Sequence, residues 1–178
     1  MDSMTTTWDS LVVIDFEASS LPMPGSYPIE VAVAYVDSGA TKSWLIRPIQ
    51  GWLDRGIWDP RSEKLHGLSR ERLLAEGRPI EDVQIELAET MEGLRALSDA
   101  VTADSYWLHV LYWFSEPPFD LERVADIIRP ATRLTGVAAR ERFLAAEAEA
   151  RRRYPREHRA EPDARRSVEV LRILMGLA

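Results

Sequence analysis

Cysteine is missing from this chain altogether, and that absence closes several routes at once. Without a thiol there is no disulfide framework, no thiolate zinc site and no cysteine nucleophile. No apolar run approaches the ~20 residues that a membrane-spanning helix needs, which excludes a helical membrane protein. The opening stretch Met1–Ser10 has neither the basic segment nor the apolar core of a secretory signal, so a cytoplasmic location is the expectation. Positive charge is also in short supply. A formal net charge of −7 argues against tight binding along a lengthy duplex footprint, because nucleic-acid binders of that kind are basic.

What is present is ordinary globular material. The 178 residues with a 46% hydrophobic fraction suit one domain with a real core. Residues 1–10 read as a flexible leader and 11–178 as a single domain, with no repeat, low-complexity tract or linker to divide it. The positive charge that exists is concentrated: Arg151, Arg152, Arg153, Arg156, Arg159, Arg165 and Arg166 crowd one stretch. Such a cluster suits either a solvated helix face or the phosphates of a short single-stranded end.

Hydrophobic patterning gives the order of elements. Leu11–Phe16 is a β-branched run suited to a buried strand, and Ala18–Pro28 carries the serines, prolines and glycine of a loop. Ile29–Val36 and Lys42–Arg47 predict two more strands, paired antiparallel through the turn at Asp37–Ala40. Short helical pieces are expected at Pro60–Leu65 and Ser69–Ala75. A longer amphipathic helix is expected from Pro79, with Ile80, Val83, Leu87, Met91 and Leu94 at spacings of three and four. Ala100–Ala103 and Arg123–Ile127 are the candidates for fourth and fifth strands, and Val137–Arg153 and Pro162–Leu177 for closing helices. The resulting expectation is an α/β fold: a mixed five-stranded sheet with three antiparallel N-terminal strands and helices on both faces.

Three groups of residues carry chemistry within that frame. Asp15 and Glu17 lie two apart at the end of the first strand, so both carboxylates point to one side. Asp104 follows the fourth strand candidate, where it serves either as a helix N-cap or as a further carboxylate beside Asp15. His158 precedes a helix opened by Pro162, and Asp163 falls in that helix's first turn. Histidine suits general-base work because its ordinary pKa lies near neutrality.

Taken together, Asp15-Phe16-Glu17, Asp104 with Trp107-Leu108, and His158 with Asp163 five residues on resemble the DEDDh 3'-5' exonucleases. That family includes ribonuclease T, oligoribonuclease and the proofreading subunit of the bacterial replicative polymerase. Tyr27-Pro28-Ile29-Glu30 and Leu65-His66-Gly67-Leu68 are similar to further family segments, so the resemblance spans about Leu11 to Leu177. It implies a ribonuclease H-like fold and hydrolysis from the 3' end of single-stranded RNA or DNA, releasing nucleoside 5'-monophosphates. It implies two Mg²⁺ or Mn²⁺ ions held by Asp15, Glu17, Asp104 and Asp163, with His158 taking a proton from the attacking water. It also implies substrate contacts at Ala18, Ser19, Ser20, Leu21 and His66, and it allows a homodimer, as in several relatives. The segment Val101–Trp107 is contracted relative to the family, and of the other acids nearby, Asp99, Glu116 and Asp120, none has an evident strand-end setting. Should that contraction cost the second metal position, the alternative is a catalytically impaired module on the same fold that binds nucleic acid or protein.

Overall fold

A computed structural model describes residues 8–132, 136–155 and 158–177. Residues 1–7, most of the expected leader, and Arg156 of the arginine stretch lie outside the described residues. Trp8–Ser10 forms a single 3₁₀ turn leading into the first strand.

Strand β1 (Leu11–Ala18) sorts its side chains by alternation. Val12, Ile14 and Phe16 enter one apolar layer and Leu11 and Val13 the other, so Asp15 and Glu17 continue the second face. Strand β2 (Pro28–Tyr35) pairs antiparallel with β1, and β3 (Thr41–Leu45) pairs antiparallel with β2. Strands β4 (Arg95–Ser98) and β5 (Leu121–Arg123) run parallel to β1, giving the order β3-β2-β1-β4-β5. This is the expected α/β architecture, a mixed five-stranded sheet with its first three strands antiparallel.

Helices cover both faces. On one side α4 (Ile80–Met91) and α5 (Val101–Leu111) bury Val83, Leu87, Trp107, Leu108 and Leu111 against Val12, Ile14 and Val33. On the other, α6 (Val124–Thr132) and α8 (Ala160–Met175) pack Val124, Ala164, Val168 and Leu171 onto Leu11, Val13, Ala32 and Ala34. The alanines on β2 leave room for α8 to approach closely. Helix α7 (Gly136–Arg153) lies on α8 through Ala146, Ala150, Val170 and Leu174. Three short helices, α1 (Gln50–Arg55), α2 (Pro60–His66) and α3 (Arg70–Glu76), surround buried Tyr27, which stacks on Trp52 with ring centroids 5.1 Å apart. Asp59 caps α2 by accepting from Arg61 N–H, and Gly67 ends it at φ 70°, a left-handed conformation that favours glycine.

The C-terminal half departs from the expected boundaries in three places. Residues 100–103 are not a strand: β4 ends at Ser98, whose hydroxyl accepts from Ala100 N–H, and the chain turns at once into α5. The fifth strand is Leu121–Arg123 alone, and most of the expected Arg123–Ile127 strand is the start of α6. Helix α8 begins at Ala160, two residues before Pro162, because Glu30 on β2 accepts the Ala160 N–H at 3.0 Å and satisfies a group that a free helix end would leave open. In the N-terminal half, the irregular stretch after Pro48 contains a helix, α1, that its sequence pattern does not signal.

Candidate active site

Five carboxylates converge where β1, β4 and α8 meet. Asp15 and Glu17 project from β1 beneath α8, and Asp163 enters from the first turn of that helix. Oxygens of Asp15, Glu17 and Asp163 lie within 4.8 Å of one another, as do oxygens of Asp15, Asp99 and Asp104. Asp15 belongs to both sets. The donors are all hard carboxylate oxygens, the type that Mg²⁺ and Mn²⁺ prefer, so the residues fit a pair of divalent cations sharing Asp15.

The second set differs from the one read in the sequence. Asp104 lies inside the first turn of α5 rather than at a strand end, and it is 1% exposed. Buried Ser98 donates its hydroxyl to Asp104, and the backbone of Phe16 adds a hydrogen bond, so the carboxylate is oriented toward β1 from two sides. Asp99, which had no evident strand-end setting, directly follows β4 and stands exposed beside Asp15 and Asp104. The signal that finds it is the position of β4: once that strand is placed at 95–98, Asp99 becomes its first residue outward.

Electrostatics at the cluster is dominated by burial and by like charge. Burial, then Asp104, Glu17, Asp99 and Asp163, push the Asp15 carboxyl well above its ordinary range. Burial, followed by Asp163 and Glu30, pushes Glu17 up to about 8, with the Arg159 guanidinium opposing. Asp104 is pushed up to about 7, again chiefly by burial and against the Ser98 hydrogen bond. Burial also raises Asp163, while Arg166, whose guanidinium lies 2.9 Å from Oδ1, and backbone groups of Arg159 and His158 pull it down. A cluster held in this state gains from any cation that neutralises it.

The cleft above these groups is about 380 Å³ and is lined by Asp15, Glu17, Asp99, His158, Asp163 and Arg166, among others. His158 is exposed at its rim with φ 59°, a left-handed conformation that costs a non-glycine residue ~1–2 kcal/mol. The next residue is anchored. Arg159 Nε and Nη2 donate to Glu30 at 2.7 and 2.5 Å, and Arg159 N–H donates to Asp163 Oδ2 at 3.2 Å.

The expected substrate residues fall into two groups. Ala18, Ser19 and Ser20 are buried, and the serines hold the loop after β1: Ser19 N–H donates to Tyr27 O, Ser19 Oγ accepts from Tyr27 N–H, and Ser20 O accepts from Ser26 Oγ. Leu21, by contrast, is 68% exposed at the tip of that loop. His66 is buried, its Nδ1 accepts from Leu68 N–H at 3.0 Å, and burial lowers it to about 4, so the ring is neutral. Trp107 is core, as the helical spacing suggests, with its indole N–H donated to Ser26 Oγ.

No family model matches the sequence, and no curated protein sequence does. The fold, however, is found in solved structures of exonuclease I. The zinc-bound complex of the E. coli enzyme with single-stranded DNA superposes with a TM-score of 0.67 at 14% identity, over 93% of this chain and 40% of that one. An apo exonuclease I gives 0.66 at 15% identity, covering 93% and 42%. A moderately thermophilic exonuclease I from Methylocaldum szegediense gives 0.63 at 14% identity, covering 91% and 40%. The chain thus spans about two fifths of the length of these proteins, and what it shares with them is the exonuclease fold.

Proposed function

We propose that this chain is a DEDDh-type 3'-5' exonuclease acting on the 3' end of single-stranded nucleic acid and releasing nucleoside 5'-monophosphates. The observation that carries the proposal is the pair of carboxylate sets joined at Asp15, on a fold shared with exonuclease I. One divalent cation, Mg²⁺ or Mn²⁺, would be held by Asp15, Glu17 and Asp163, and a second by Asp15, Asp99 and Asp104. Bound there, two such ions lower the pKa of water and offset charge on the attacking and leaving oxygens of an in-line displacement.

The chain's own groups supply the rest. His158 lines the cleft together with Asp163 and would act as general base, taking a proton from water. Arg166 borders the same cleft, so a phosphate entering it meets positive charge as well as the acidic cluster. Leu21, exposed on the loop after β1, is suited to pack against the terminal base. Ser19 and Ser20 act by holding that loop, and a contact of His66 with substrate would require its neutral ring to be uncovered.

Asp99 strengthens the enzyme reading over a catalytically impaired binding module. The contraction before Trp107 removes no carboxylate from the second set, because Asp99 and Asp104 both reach Asp15. The test is a 5'-labelled single-stranded RNA or DNA oligomer incubated with Mg²⁺, Mn²⁺ or EDTA. A ladder shortening from the 3' end, lost in EDTA and in Asp15→Asn, is the expected result. Intact oligomer with the metal still bound would favour the binding module.

A further inference from the structure

Glu30 lies outside both carboxylate sets although it stands directly across from Glu17 in the β1–β2 register. Cross-strand partners share a face, so both acids point toward the start of α8. Only 4% of the Glu30 side chain is exposed, and both its oxygens are engaged. Oε1 accepts from Arg159 Nη2 at 2.5 Å, and Oε2 accepts from Arg159 Nε at 2.7 Å and from Ala160 N–H at 3.0 Å. Helix α8 receives no side-chain cap from its own N-cap residue, Arg159. The carboxylate that caps it comes from β2, 130 residues earlier in the chain.

Burying a charged pair is a poor route to stability, since an apolar pair of the same size does as well or better. What a bidentate Arg–carboxylate pair supplies is geometry: two parallel hydrogen bonds fix both distance and angle. Here the geometry is delivered to the residues on either side of Arg159. His158, immediately before it, is held at φ 59°, a conformation that persists only where its surroundings over-determine it. Asp163, one turn later, accepts from the Arg159 N–H.

We propose that Glu30 and Arg159 are positioning residues that set His158 and Asp163 in register with Glu17. The inference rests on the exonuclease reading of the site and extends it to two residues that touch neither metal nor substrate. The clamp acts through the backbone of residues 158–160. Its loss therefore misplaces the general base without altering the loop that meets the terminal base, and turnover falls while substrate affinity stays.

The test is a double-mutant cycle on single-turnover cleavage of a 5'-labelled oligomer with Mn²⁺. The clamp is removed as a neutral pair, Glu30→Gln with Arg159→Met, so that no buried charge is left unpaired. Arg159→Lys, which keeps the charge and loses the fork, is measured alongside it and carries the cycle should the pair variant not fold. The expected result is a fall in the maximal single-turnover rate of roughly 10–100-fold, the range for groups that orient ligands, with the half-saturating oligomer concentration little changed. Adding His158→Ala to a clamp variant should then cost much less than it costs the wild type, because the two act as one unit. A full, undiminished cost of His158→Ala in the clamp background overturns the positioning role while the exonuclease reading stands. Wild-type protein without metal-dependent cleavage overturns both.

Discussion

Ser167 on α8 donates its hydroxyl to Asp99 at 3.1 Å, joining the last helix to the residue that leaves β4. Both residues line the cleft above the carboxylates. It holds an otherwise exposed aspartate in place beside Asp15 and Asp104.

Asp99→Ala is therefore expected to lower single-turnover cleavage by roughly 10–100-fold, and Ser167→Ala by less, since the latter removes orientation and leaves the charge. Asp99→Asn keeps one oxygen donor and should fall between them. Rates for all three at saturating Mn²⁺ check the order. Wild-type rates for Asp99→Ala would remove that residue from the site.

Stability of the metal-free protein should depend on pH in a defined direction. Burial, with Asp163 and Glu30, holds Glu17 up at about 8, and burial holds Asp104 up at about 7, against ordinary values of 4.5 and 3.8. Both groups bind a proton more tightly folded than unfolded. Their contribution is complete below the unfolded values and is lost as pH rises through about 7 and then about 8. In EDTA the Tm should fall from about pH 4.5 upward, most steeply up to about pH 7, where both groups hold a proton only in the folded chain, and level off above about pH 8. Saturating Mn²⁺ should flatten that fall, because it neutralises the ionised cluster. Thermal unfolding with and without chelator measures both.

Asp15→Asn separates stability from activity. Asp15 is raised by burial and by four neighbouring carboxylates, so replacing it with a neutral isostere relieves repulsion above neutral pH. At pH 8 in EDTA the variant should melt higher than wild type, each ~1 kcal/mol gained raising Tm by roughly 2–4 °C for a chain of this size. With Mn²⁺ restored in place of EDTA, cleavage by the variant should be abolished while wild type cleaves. A lower Tm would show that Asp15 has a structural partner that its geometry does not reveal.

Leu21→Ser tests the loop after β1. The side chain is 68% exposed and belongs to none of the apolar clusters among the described residues, so Tm should stay within about 1 °C of wild type. If Leu21 packs against the terminal base, KM for a short oligomer rises several-fold. A mixed change, with Tm falling as well, would place its role in the fold.

The legible parts of this protein were those whose signal is local. Leu11–Phe16 is apolar and β-branched, and the Asp-Phe-Glu at its end needs only strand periodicity to put two carboxylates on one face. The positions of His158 just before a helix and Asp163 in its first turn are legible for a similar reason, a proline near a helix start. Strand β4 was harder. Arg95–Ser98 is four residues long, and Arg95 is satisfied by a bidentate pair with Glu122 from a neighbouring strand 27 residues away. Val101-Thr102-Ala103 is the more strand-like run by composition, yet its backbone starts α5, with Ala103 N–H and Asp104 N–H both donating to Ala100 O. The shift of that one strand hid Asp99. Glu30 was visible as part of a family-like segment, but its role depends on Arg159, a contact no local pattern encodes.

Whether two cations share Asp15 is read from anomalous diffraction of Mn²⁺-soaked crystals. Two peaks ~3.5–4 Å apart are expected, as in two-metal sites. Asp15 should lie between them, with Glu17 and Asp163 at one and Asp99 and Asp104 at the other. A single peak in a crystal form that still cleaves oligomer, or two peaks neither of which touches Asp15, would contradict it.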